Sequence, residues 1–213
     1  WRECNVTVPH KIAVMDHVAD PGDVRASIGA MNTIARDDQG GLFGTNTDAG
    51  GFYGPIADLP LAGAPVVVVG TGGAAHAVLF ALSRVGAGPV TLLARNPLKG
   101  AALLARFGLK GDVRPIESAI PPAQLLVNTT SLGMVGQPAF APDLSPLPED
   151  ALVYDIVYAP LMTPLLQAAD ARDLQIVDGL DMLVGQAAIA FELFFGAAPP
   201  RDRDEELRER LLA

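Results

Sequence analysis

Four consecutive valines, Val66–Val69, run directly into Gly70-Thr71-Gly72-Gly73-Ala74-Ala75 and then into an alanine-rich apolar stretch that stops at Gly86. β-branched residues favour strands, and four without a polar break suit a strand covered on both faces, as in a parallel sheet. The glycines allow a tight turn, and the apolar run has the length of a helix packing back across that sheet. The next apolar run, Val90–Ala94, completes a βαβ unit. Shorter apolar runs at 125–127 and 152–156, and a weaker one at Gln175–Val177, alternate with helix-like stretches at 98–106 and 162–171. The alternation predicts an α/β fold built on a doubly wound parallel sheet.

Either side of this block the texture changes. Residues 1–54 are turn-rich, with Gly and Asn, and residues 179–213 read as helical, so two lobes are expected. Near the end, Asp204 precedes Arg208 and Glu206 precedes Arg210 at i, i+4 spacing, which supports an exposed helix with a solvated charged face.

Within the glycine stretch, Gly70-x-Gly72-x-x-Ala75 is a Rossmann-like dinucleotide fingerprint with alanine at its third position, where a small side chain lets helix and strand approach. The helix N-terminus then offers peptide N–H donors to a pyrophosphate. NAD-specific folds place a carboxylate at the end of the second strand, for the ribose 2′-hydroxyl. Here that place holds Ala94-Arg95-Asn96, with Lys99 a turn further on. Two cations and no acid favour a 2′-phosphate, hence NADP, although read alone Arg95 and Lys99 serve equally well as ordinary surface charges.

Composition narrows the classes. With 213 residues, 50% apolar and 18% charged, the chain can bury a sizeable core. A net charge of −9 without a basic patch argues against nucleic acid or an anionic membrane as partner. The single cysteine, Cys4, cannot form an internal disulfide, and His10, His17 and His76 lie too far apart for metal-ligand spacing, so a reducing cytoplasm and no metal are expected. The apolar stretch 187–198 is broken by Glu192 and Gly196 and falls short of the ~20 residues that span a bilayer. There is no signal-peptide pattern. The chain begins at Trp1 rather than methionine, from which a missing upstream segment is expected.

Lysine is rare: three against twelve arginines. Asn5-Val6-Thr7-Val8-Pro9-His10-Lys11 reads as a strand ended by proline, which places the Lys11 amine at a strand end beside a turn. A partly desolvated lysine can move a proton, whereas arginine effectively cannot. Asn46-Thr47-Asp48 is a source of a carboxylate partner and also suits a helix start, so Asp48 reads either as that partner or as a plain N-cap, with Lys11 a surface charge in the latter case.

The blocks 5–11, 29–33, 46–48, 70–75, 128–134, 155–160 and 179–187 stand in the order seen in shikimate dehydrogenases, and the chain resembles that family over essentially its whole length. The resemblance implies an NADP-dependent oxidoreductase interconverting 3-dehydroshikimate and shikimate, small molecules. It implies Lys11 and Asp48 as the catalytic pair, and Thr7, Asn32, Asp48 and Gln186 as groups on the substrate hydroxyls. Tyr158 falls near substrate and nicotinamide. Gly70, Thr71, Gly72, Gly73, Ala74 and Ala75 would hold the pyrophosphate, Arg95 and Lys99 the adenosine phosphate, and Thr130, Ser131, Val157, Gly179 and Met182 the cofactor cleft.

The implied division is a smaller α/β substrate domain in 1–54, an NADP-binding domain in 55–178, and helices in 179–213 returning to the substrate domain, as a monomer or homodimer. The family pattern opens with a strand and a two-serine loop ahead of the Asn5 block, so the substrate domain is expected to be N-terminally incomplete. Ala49 stands where glycine is common, and Asp181 where a small residue is common; an acid there is expected either to disturb the cofactor or to point to solvent. Two alternatives remain beside the main reading: a quinate/shikimate dehydrogenase using NAD, and a catalytically impaired cofactor-binding paralogue or fragment.

Overall fold

The computed structural model describes residues 3–212; Trp1, on which the expectation of an upstream segment rests, lies outside the described residues. The front of the chain forms strand β1 (Cys4–Asn5), helix α1 (Val24–Ser27), strands β2 (Thr33–Arg36) and β3 (Leu42–Thr45) and helix α2 (Asp48–Tyr53). The three strands make an antiparallel sheet in the order β1-β2-β3. The strand expected through Val8 is shorter than its sequence reads. Val6 N–H still donates to Asn32 O at 2.6 Å, but by His10, whose N–H returns to Thr7 O at 2.9 Å, the chain is turning. Pro9 has no N–H to continue a ladder.

The rest builds the parallel sheet. Strand β4 (Val66–Val69) leads into helix α3 (Gly73–Arg84), β5 (Val90–Ala94) into α4 (Pro97–Arg106), and β6 (Gly111–Pro115), β7 (Leu125–Asn128) and β8 (Leu152–Asp155) follow. Helix α5 (Pro164–Asp170), β9 (Gln175–Val177), α6 (Gly179–Phe195) and α7 (Asp204–Leu212) complete the chain. All six strands are parallel, in the order β6-β5-β4-β7-β8-β9, which reverses direction between β4 and β7. The four valines of β4 are at most 1% exposed, as a strand covered on both faces requires. One face packs Phe52, Val78, Leu79, Leu82, Leu103 and Met182 against the sheet. The other is closed by α5 together with Ile120, Leu144 and Leu147 from long connections.

Two features tie front and rear together. Helix α2 crosses α6 where Gly51 meets Gly185: a Cβ on Gly185 would lie 3.2 Å from Gly51 Cα, and one on Gly51 would lie 2.7 Å from Gln186 N and 2.8 Å from Met182 O. Glycine is required at 51, and a side chain at 185 would be tight. On the other flank, His76 of α3 meets the front at Ile28, with Nδ1 2.9 Å from the carbonyl oxygen, so the neutral ring donates from Nδ1. Burial pushes the His76 pKa below its ordinary 6.5; the Ile28 bond opposes this, and the charges of Arg106 and Lys99 add to the downward push. The unfolded chain then binds more protons than the native one as pH falls below about 6.5, so stability declines in that direction. His76→Asn, whose amide mimics Nδ1, is expected to flatten the urea-unfolding free energy between pH 7.5 and 5.5 relative to the parent protein; parallel profiles would contradict this.

The end of the chain departs from its sequence reading. Glu206 and Arg210 do pair at 2.5 Å, but Asp204 turns to Arg201 at 2.6 Å. Arg208 points inward, with Nη2 2.7 Å from Asp178 Oδ2 and Nη1 2.5 Å from Asp181 Oδ1. Two carboxylates crowded at the start of α6 attract the guanidinium more strongly than one solvated acid. The Asp181 side chain, 41% exposed, lies in an ion pair; burial and Asp178 raise its pKa, and Arg208 opposes them.

Candidate active site

The Lys11 ammonium stands 2.6 Å from Asp48 Oδ2, and the two side chains are 14% and 4% exposed. Each arrives from a constrained segment. Lys11 O accepts from Met31 N at 2.7 Å, which anchors the turn after β1 to the residues leading into β2. Asp48 opens α2 without serving as its cap: Asn46 Oδ1 accepts from Ala49 N at 3.1 Å, while Asn46 Nδ2 donates to Ala30 O at 2.8 Å. The asparagine takes the capping work, and the Asp48 carboxylate is free to face Lys11.

A fixed polar cluster surrounds the pair. Asn32 Nδ2 donates to Asp48 Oδ1 at 2.9 Å, to Thr47 Oγ1 at 2.9 Å and to Gln186 Oε1 at 3.2 Å, and Asn32 Oδ1 accepts from Thr47 N at 2.7 Å. Thr47 Oγ1 also reaches Gln186 Oε1 at 3.2 Å, and Gln186 Nε2 is held by Leu183 O at 3.0 Å. Lys11, Asn32, Asp48 and Gln186, from four separate stretches, are thus brought together. Thr47 belongs with them, although sequence reasoning gave it only a helix start. Thr7 is exposed on the turn, and Tyr158 is 52% exposed with no hydrogen bond to the cluster.

The glycine loop faces this cluster. A Cβ on Gly73 would stand 2.9 Å from Lys11 Cβ, so the lysine stem leans on the first residue of α3. Gly70 has φ +109°, and a side chain there would strike Thr129 Oγ1 and Thr130 Cγ2 across the switch point. Gly72 is exposed with open space beside it, and no side chain caps α3. These are the properties a pyrophosphate cradle needs, and the loop fits a dinucleotide. Ala74 and Ala75 are buried, so only their peptide groups are candidates. Arg95 and Lys99 are exposed past β5, where Asn96 caps α4 by accepting from Lys99 N at 3.1 Å.

On the other side of the cleft, Thr130 Oγ1 donates to Asn128 Oδ1 at 2.7 Å and accepts from Leu132 N at 3.0 Å, while Ser131 is exposed. Gly179 abuts the Ile156 and Val157 backbone, Val157 is buried, and Met182 joins the core cluster with Phe52 and Tyr154. Among the described residues no three His, Cys, Asp or Glu side chains form a metal-binding group, and no helix is long and apolar enough to cross a membrane.

The chain is similar to known proteins in sequence and in fold. The family model described as the Shikimate 5'-dehydrogenase C-terminal domain matches residues 179–207. A shikimate dehydrogenase (NADP(+)) of Sphingopyxis alaskensis is 66% identical over 213 residues, covering all of this chain and 78% of the relative. The shikimate 5-dehydrogenase of Thermus thermophilus, solved with NADP(H) and shikimate, superposes with a TM-score of 0.84 at 38% identity, over 99% of this chain and 79% of that one. A quinate dehydrogenase of Corynebacterium glutamicum, solved with NAD, also gives 0.84, at 34% identity over all of this chain and 78% of that one. With two thirds of its residues identical to those of a relative that it covers over more than three quarters of its length, and with a backbone that superposes closely on solved enzymes, this chain belongs to the shikimate dehydrogenase family.

Proposed function

We propose that this chain is an NADP-dependent oxidoreductase that interconverts 3-dehydroshikimate and shikimate. The observation that carries the mechanism is the Lys11–Asp48 contact of 2.6 Å, set against the glycine loop through Gly73. Bound NADPH supplies a hydride to the substrate ketone carbon. As charge builds on the ketone oxygen, the Lys11 Nζ hydrogen-bonds to it and passes it a proton. Lys11 is replenished from water, to which its partial exposure leaves a path. Asp48 keeps the ammonium in place with Oδ2, and its own orientation is fixed because Asn32 occupies Oδ1. Asn32, Asp48 and Gln186 bind the ring hydroxyls, with Thr7 and Tyr158 completing the pocket. In the reverse direction Nζ takes the hydroxyl proton.

Residues 70–75 would hold the pyrophosphate of the dinucleotide, Thr130, Ser131, Val157, Gly179 and Met182 would line the cleft for its nicotinamide half, and Arg95 and Lys99 would hold the 2′-phosphate. The chain divides into 1–54 for substrate, 55–178 for NADP, and 179–213 returning to the substrate side. It works in the cytoplasm, as a monomer or homodimer.

The test is absorbance at the reduced-nicotinamide band with shikimate and quinate, each against NADP and NAD. Shikimate with NADP is expected to give the highest kcat/KM. Replacing Arg95 and Lys99 together by alanine is expected to raise the KM for NADP at least tenfold while leaving that for NAD within about twofold, since charge-assisted phosphate bonds are worth roughly 1.5–3 kcal/mol each. Faster turnover of quinate with NAD would favour the quinate reading, and no turnover the impaired paralogue.

A further inference from the structure

Asp155 has no part in the reaction described above, yet it is a fully buried carboxylate at the end of β8, on the side of a parallel sheet where ligands bind. Among the described residues no ion pair includes it. Removing an acid from water is costly unless its oxygens are bonded, and here three donors converge on it. Oδ1 accepts from Asn128 Nδ2 at 2.9 Å and from Val157 N at 3.0 Å, and Oδ2 from Thr163 Oγ1 at 2.7 Å. Burial raises the Asp155 pKa, and these three bonds oppose the rise.

The donors are themselves organisers. Asn128, at the end of β7, accepts from Thr130 N at 3.0 Å and Thr130 Oγ1 at 2.7 Å and donates to Leu132 O at 3.1 Å, which sets the course of 128–132. Thr163 caps α5 by accepting from Leu166 N at 3.3 Å, which sets the far end of 155–163. The first segment reaches the glycine loop, since Thr129 Oγ1 donates to Val69 O at 2.6 Å and Thr130 packs beside Gly70. A single carboxylate therefore collects the segments that follow β7 and β8.

We infer that Asp155 is a positioning residue for the dinucleotide: it joins segments 128–134 and 155–163 into one rim, so that binding does not have to order them. The inference rests on the NADP reading above. Asparagine at 155 keeps an oxygen for Asn128 and Val157 and asks only that Thr163 turn its hydroxyl around, whereas alanine leaves three buried donors without acceptors.

The experiment is calorimetric titration of NADPH into the parent protein, Asp155→Asn, Asp155→Ala and Thr163→Val, with amide hydrogen exchange on the same proteins without cofactor. Asp155→Ala is expected to weaken NADPH at least tenfold and Asp155→Asn less than threefold. Should Asp155→Ala fail to fold, Thr163→Val decides. It removes a donor from the second segment only, yet exchange is expected to quicken in 128–134 as well as in 155–163, and NADPH affinity to fall three- to tenfold. Unchanged affinity in the variants, or faster exchange confined to 155–163, would overturn the inference. A parent protein that does not bind NADPH would overturn the NADP reading and this inference with it.

Discussion

Lys11→Ala is expected to lower kcat by about a thousandfold while the KM for shikimate changes only a few-fold, as befits a group that acts when charge develops on the substrate oxygen. The geometry sets that split. Of the groups proposed to hold the hydroxyls, Asn32 and Gln186 are fixed by bonds that do not involve the lysine, and Asp48, which is bound to Lys11, keeps its bond from Asn32 when the lysine is removed. Asp48→Asn should act on the same step, because the ammonium would lose its partner while Asn32 lost a charged acceptor. The double variant should then be hardly slower than the worse single one, since residues that work as a unit are not additive. Steady-state kinetics on the three proteins would check this, and a Lys11→Ala enzyme with normal kcat would remove the lysine from the mechanism.

Gly51→Ala is expected to have the second large effect, from a single methyl group. The new carbon would sit 2.7 Å from Gln186 N and 2.8 Å from Met182 O, both backbone atoms of α6 that cannot rotate aside. The helices must part, at a cost of about 1–3 kcal/mol typical of overpacked cores. That corresponds to a fall of several degrees in Tm for a protein of this size. Gln186 would be drawn away from Thr47 and Asn32, so the shikimate KM should rise about tenfold. Gly185→Ala is the internal control. Its methyl would meet Gly51 Cα at 3.2 Å, a contact that a small shift relieves, and both effects should be clearly weaker. Equal melting curves and KM values for the two variants would show that the crossing does not hold the site.

Much of this was legible in the chain because its cause is local. The valines of β4 and the glycines after them define strand, turn and phosphate loop within ten residues, and both the parallel sheet and the Gly70 backbone follow from that stretch. Strand β6 escaped detection for an equally local reason: Gly111-Asp112-Val113-Arg114-Pro115 lies at the sheet edge, largely exposed, and carries no apolar run. Lys11 and Asp48 were found by type and by family likeness. Their contact, however, is made by a strand that ends sooner than expected and by Asn46 relieving Asp48 of capping. Arg208 was misread because its partners, Asp178 and Asp181, lie about thirty residues away, beyond the reach of i, i+4 reasoning. Asp155 stood in a quoted block without a role, since its importance lies in three donors that only the folded sheet assembles.

Gly179 and Gln186 lie on one uninterrupted helix, seven residues and about 10.5 Å of axial rise apart. The interval between the nucleotide rim and the amide among the polar groups is thus a property of helical pitch, whatever the tilt of either sheet. The helix works as a measuring rod. One residue inserted between Met182 and Gln186 would swing that amide by about 100° around the axis rather than lengthen the gap, so the register of a single turn decides whether both ends of the site address the same molecule.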